Sequence, residues 1–284
     1  MKLPNPFQKR TSPVEALSRE LGDIAVRSFP AAVTRILAML RQEDTSMQEI
    51  GDVLQNDPGL HVRVLRTVNS PAYGFSSKVE TIQRAVTLMG RSRLESLVLS
   101  VAVKDNLPRA GTARFDDGAF WGAAARRASV ARSLARHLHS DSETESFTAG
   151  LLQDIAVPVL VAAKKGLYCE VYDRWRSDPT VELPVIERET FGFDHQSVGV
   201  AIAQRWELPD YLVQAIGGHH STDAEPPTEA AVRLVSHIRD SATHAGTEAL
   251  VEACVEIGTL SRDEVEKLVA EAFEAAEELR SALS

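Results

Sequence analysis

The run from Phe147 to Ala163 constrains this 284-residue chain most: Phe-Thr-Ala-Gly-Leu-Leu-Gln-Asp-Ile-Ala-Val-Pro-Val-Leu-Val-Ala-Ala. It is the longest strongly apolar stretch, so as a helix it must be buried on nearly every side. Asp154 is its one charged residue. Withdrawing an unpaired carboxylate from water is costly, so Asp154 is expected to have a dedicated partner. Pro158 has no N–H to donate and crowds the carbonyl four residues back, which is that of Asp154. The middle of the run is therefore polar and kinked.

With 44% hydrophobic and 25% charged residues, the chain has ample material for a core. Its net charge of −9 argues against nucleic acid and anionic membranes as bulk partners. The charge is uneven: Pro58 to Ala110 holds eight Lys/Arg against three Asp/Glu, and Glu248 to Ser284 holds ten acids against three bases. Cys169 and Cys254 are the only cysteines and stand far apart, which excludes a thiolate zinc site and fits a reducing compartment. The N-terminal residues lack the apolar core of a signal peptide, and a cytoplasmic protein is expected.

Helical periodicity runs throughout, and no segment alternates convincingly with period two. Capping boxes stand at Ser12–Glu15, Ser46–Glu49 and Ser261–Glu264, and Asp57-Pro58 opens a further helix. Helices are expected from Phe29-Pro30 to about Arg41, over 46–55, 58–68, 81–89 (stopped by Gly90), 91–106 and 116–137. The central run belongs to one from about Ser142 to Lys165, closed by Gly166. Further helices are expected over 167–177, 184–191, 194–207, 208–218, 228–245, 248–258 and from Ser261 to the end. Residues 108–112 read as a linker. The fold class is all-α, in two lobes joined near residue 110.

Several stretches resemble one bacterial family, the HDOD domains. They are Val-Asn-Ser-Pro-Ala-Tyr-Gly at 68–74, Thr81-Ile82 through Leu88-Met89-Gly90, Phe120-Trp121, Ala149-Gly150-Leu151-Leu152, and Trp206-Glu207-Leu208-Pro209 leading to His219-His220. The resemblance runs from about residue 20 to residue 245. It implies an N-terminal extension (1–25), an N-terminal helical lobe (26–110), a lobe like the HD-type metal phosphohydrolases (113–246) and a C-terminal helical extension (247–284). It also implies a signalling module without catalysis.

HD-type hydrolases hold a divalent metal with histidines and aspartates from several helices, and the bound water becomes the nucleophile. Carried over, that pattern fits unevenly. Ala123 or Ala124 stands where a first His would be, the His-Asp pair reads Gln153-Asp154, and Val157 takes the place of a phosphate-facing Lys. Asp240 is the candidate distal Asp. Asp154, His195, His219 and His220 match surviving positions, while Ser221-Thr222-Asp223 replaces a GYP loop. The four survivors are read as vestiges that hydrogen-bond one another, with no catalytic residue, bound metal or cofactor. His61, His137, His139 and His244 have no partner at useful spacing.

Two other features carry possible contacts. Residues 46–70 outline a helix–turn–helix in which Arg63, Arg66 and Asn69 could face outward toward DNA. Asn69, Ser70 and Tyr73 could line a ligand or partner pocket, or satisfy a helix end. The leading expectation is a non-catalytic HDOD-type module that binds a protein partner of unknown identity, or a small ligand, without membrane or nucleic acid. The alternative is a divergent HD phosphohydrolase acting on a nucleotide or cyclic dinucleotide.

Overall fold

Capping side chains start many of the helices by taking amides that a first turn leaves unpaired. In the computed structural model, which describes residues 28–70, 73, 75–109, 112–221, 227–240 and 246–283, Ser46 and Glu49 cap each other reciprocally. Asp57, Thr81, Asp116 and Asp194 each accept from an amide three residues on. The helices are α1 (Ala31–Arg41), α2 (Met47–Gln55), α3 (Pro58–Val68), α4 (Ile82–Asn106) and α5 (Asp117–Leu138). A 3-10 turn, Ser140–Ser142, leads to α6 (Glu143–Leu152) and α7 (Ala156–Lys164). Then come α8 (Gly166–Ser177), α9 (Leu183–Phe191), α10 (His195–Arg205), α11 (Asp210–Gly218), α12 (Pro227–Val235), α13 (Thr247–Ile257) and α14 (Arg262–Leu283). No strand occurs among the described residues, so the fold is all-α. The helix expected after Ser12, together with Pro71, Ala72, Gly74 and His244, lies outside them.

Gly90 joins two helical stretches within α4 at φ 68° and ψ −177°, a combination open essentially to glycine alone. The next residue, Arg91, donates to the carbonyls of Met39, Leu40, Gln42 and Thr45 at 2.6–3.0 Å. One side chain thus closes the C-terminus of α1 and fixes it against the bend in α4.

Helix α5 packs against α6, α12 and α14. Gly150 sits where α6 meets α5, since a Cβ there would lie 3.0 Å from the Arg127 carbonyl. Two buried clusters result. One runs without interruption from Val33 in α1 to Leu279 in α14, across residue 110. The other joins α5 to α12, α13 and the apolar stripe Val265, Val269 and Ala272 of α14.

The region Ser140–Lys164 has a mean hydropathy of 1.6 over 18 residues, enough to cross a membrane by composition, but 83% of that window is buried within the protein. The expected disruption is a turn at 153–155. Gln153 and Ile155 keep right-handed helical angles, but the amides of Ile155 and Val157 bond three residues back. Helix α7 begins at Ala156, which places Pro158 in its first turn where its missing N–H is not needed. Three other boundaries differ from expectation. Lys165 (φ 44°), rather than Gly166, takes the left-handed conformation that ends α7. Gly166 instead opens α8. Helix α12 stops at Val235: the Ser236 hydroxyl donates to the Arg233 carbonyl, and Arg239 leaves the helix to donate to the carbonyls of Trp175, Asp178, Pro179 and Val181.

Candidate functional site

The break between α6 and α7 presents Asp154 to three other elements. Its Oδ2 pairs with Arg127 Nη2 of α5 at 2.8 Å, and Arg127 Nη1 donates to the Ile238 carbonyl at 2.9 Å. The Asp154 side chain is 13% exposed and that of Arg127 only 3%. Its Oδ1 lies 3.2 Å from His219 Nε2 and 3.4 Å from His195 Nε2. Burial pushes the carboxyl up, but Arg127, with help from His219 and His195, outweighs that and holds it well below the usual carboxylate range.

His195 stands in the first turn of α10, which Asp194 caps. Glu187 of α9 reaches it twice, accepting from the backbone amide at 2.8 Å and facing Nδ1 at 2.6 Å. The other Glu187 oxygen accepts from the Tyr168 hydroxyl. The Glu187 carboxyl group thus takes two donors, the His195 amide and the Tyr168 hydroxyl, and its contact with the ring is a hydrogen bond in the tautomer that carries the proton on Nδ1. His219, at the C-terminus of α11, turns Nδ1 to the Ile216 carbonyl at 2.8 Å; a carbonyl only accepts, so that nitrogen is protonated as well.

Both Nε2 atoms, 3.0 Å apart, therefore face each other and Asp154 Oδ1 as acceptors. Three lone-pair atoms converge on a point to which their own tautomers bring no proton. Such a point calls for a donor or a cation: a water, one more proton or a metal ion. Burial disfavours the charged form of His195, but Glu187, then Asp154, more than offset it and raise its pKa. One more proton on His195, which that shift favours, would let its Nε2 donate to His219 Nε2 or Asp154 Oδ1.

The donors also fit one divalent ion. Ligand atoms of Asp154, His195, His219 and His220 lie within 4.8 Å of one another. His195, His219 and Asp154 would hold the ion, with His220 at the margin. Bound there, such an ion would polarise an oxygen ligand and acidify a bound water. Gln153 lies buried beside them with its Oε1 unpartnered, offering an amide where an imidazole would bind more strongly. Burial, then the two neighbouring imidazoles, pushes His220 well below the ordinary histidine value, so it stays neutral. A cleft of about 860 Å³ opens onto His219 and His220, rimmed by Arg188, Arg233 and His237.

The four residues read from sequence as survivors thus come together. Asp240 stands apart, in the segment after α12, where it accepts from the Tyr172 hydroxyl at 3.1 Å. The Asn69 amide is a latch, donating to the Leu65 and Val79 carbonyls and accepting from the Val79 amide at 2.7–2.9 Å. Ser70 and Tyr73 are buried and belong to a different region, with the Tyr73 ring against Phe147 and Arg132. Arg127, Glu187 and Tyr168 went unrecognised in the sequence. Arg127 stands one helical turn beyond Ala123 and Ala124 on the face already under scrutiny, whereas nothing local marks Glu187 or Tyr168.

Residues 26–222 match the HDOD domain family. The chain is an HDOD protein. A provisionally named phosphohydrolase from Shewanella amazonensis SB2B has a similar structure (TM-score 0.73, 24% identity, 95% of this chain and 98% of that one). So has an HDOD domain protein of unknown function from Geobacter sulfurreducens (TM-score 0.70, 21% identity, 96% and 97%). A provisionally named signal transduction protein from Marinobacter aquaeolei VT8 also matches (TM-score 0.70, 20% identity), covering 90% of this chain but 59% of its own. At these identities the likeness is one of HDOD fold. An uncharacterized protein of Treponema pallidum (strain Nichols) is 23% identical over 202 residues, and the match spans 71% of this HDOD chain but only 39% of that relative.

Proposed function

We propose that this HDOD chain is a non-catalytic signalling module that acts by binding a protein partner or small ligand. The observation that carries this is the pair between Arg127 and Asp154: a guanidinium built into α5 supplies positive charge beside the carboxylate that faces both histidine Nε2 atoms. His195 and His219 are also almost completely buried, so the cleft reaches the cluster chiefly at the partly exposed His220. The implied mechanism is recognition by helical surfaces, with the His-His-Asp centre tying the turn between α6 and α7 to α10 and α11.

A second function is favoured by the three converging acceptors and the cleft over His219 and His220: a single-metal HD phosphohydrolase acting on a nucleotide or cyclic dinucleotide. Metal analysis of purified protein, with a phosphodiester hydrolysis assay, separates the two. Less than stoichiometric metal and no turnover are expected. Stoichiometric Fe, Mn or Zn, with turnover abolished by Asp154→Asn, would overturn the non-catalytic function.

A further inference from the structure

A second cleft, of about 480 Å³, lies among α3, α4, α5 and the segment after α4, and reaches the central run at Pro158. Arg63 and Arg66 come from successive turns of α3, Lys104 from near the end of α4, Arg109 from the segment that follows, and Trp121 from α5. These four cations face two carboxylates, Asp105 and Asp117. Arg63 is paired with Asp105. The lining thus carries two more positive than negative side chains, four against two, in a protein whose net charge is −9.

Lys104 is the most telling of them. Its ammonium lies 5.6 Å from the centre of the Trp121 ring, half buried. Burial first, then Arg66 and Arg63, push its pKa down to about 8, with Asp117 opposing them. Gathering like charges in a partly desolvated recess works against folding. A bound polyanion would reverse the penalty. The volume suits a small organic ligand, for which about 300–1,000 Å³ is usual, and Trp121 with Pro158 gives it an apolar wall.

We propose that this cleft binds a nucleotide carrying two or more phosphates, with the phosphates on Arg66, Lys104 and Arg109 and the ring system against Trp121. The site would give the signalling function above an input. It rests on residues separate from the histidine cluster.

The test is a titration of the full chain with ADP, inorganic pyrophosphate and a short DNA duplex, at low and moderate salt, followed by calorimetry and tryptophan fluorescence. ADP is expected to bind one per chain, more tightly than pyrophosphate, and to change the fluorescence. Arg66→Ala and Lys104→Met should each weaken it by roughly tenfold or more, with melting temperatures no lower than that of the parent. The proposal is overturned if ADP does not bind at about 1 mM, a threshold for weak ligands. It is also overturned if both variants bind ADP as the parent does, or if the duplex binds and ADP does not. Hydrolysis of ADP, followed by chromatography, would sink the non-catalytic function while leaving the nucleotide site in place.

Discussion

Asp154 and Lys104 are opposite cases of a charge withdrawn from water. Asp154 is matched by Arg127 at 2.8 Å, and removing one partner strands the other. Asp154→Ala is therefore expected to cost about 3–5 kcal/mol, the usual penalty for breaking a buried pair, measured by chemical denaturation. An unchanged melting temperature would refute the tie between helices. Lys104 is held among Arg63, Arg66 and Arg109, with Asp117 opposing them too weakly to offset burial, so Lys104→Met is expected to leave stability equal or higher. The pH dependence has a definite sign. The folded pKa, about 8, lies below an unfolded value near 10.4. Between the two, the unfolded chain binds more protons, so this residue makes stability rise with pH across that window. Thermal melts from pH 7 to pH 10 should show the rise in the parent and a smaller one in Lys104→Met.

Among elements, the bend in α4 and the contact of α5 with α6 depend on single glycines. Gly90 at φ 68° and ψ −177° is in a region that costs other residues on the order of 1–3 kcal/mol. Gly90→Ala should lose that much stability and loosen the Arg91 clamp on α1, which hydrogen exchange at the end of α1 would detect. Gly150 is a matter of space rather than torsion. A side chain there meets the Arg127 carbonyl and the Ala131 methyl within 3.1 Å. Gly150→Val is expected to cost about 1–3 kcal/mol through overpacking and to displace Arg127 from Asp154. Gly90 and the capping boxes at Ser46 and Ser261 were legible in the sequence because each acts within one turn. The break at 153–155 was legible only in part. Pro158 announces a disruption, but the turn itself falls at 153–155, before the proline.

For the whole molecule, the acidic C-terminal helix is part of the core. Val265 and Leu279 of α14 are fully buried and Val269 nearly so, packed over α5 and α3. Each large apolar side chain withdrawn from water contributes about 1.5–3 kcal/mol, and a domain's whole stability is typically about 5–15 kcal/mol. A chain ending before Arg262 is expected to lose its cooperative thermal transition, as followed by circular dichroism. Retention of a sharp transition would show that α14 is dispensable. Because one buried cluster continues across residue 110, the helices on either side share a core, and the cleft of Arg66, Lys104 and Trp121 is lined from both sides of that point.

The sequence by itself determined that the fold is all-α, that the central run is buried, that Asp154 needs a partner and that Asp154, His195, His219 and His220 are the residues to examine. These follow from periodicity, local capping, the cost of burying charge and a family resemblance, all readable along the chain. Tertiary structure alone decided that the partner is Arg127, that Glu187 and the Ile216 carbonyl face the histidine Nδ1 atoms, and that the exposed Arg63 and Arg66 share one cleft with Lys104 and Trp121. Those facts depend on which helices cross and how closely. Crossing is fixed by small residues such as Gly150 and by the summed packing of distant side chains, which no local stretch encodes.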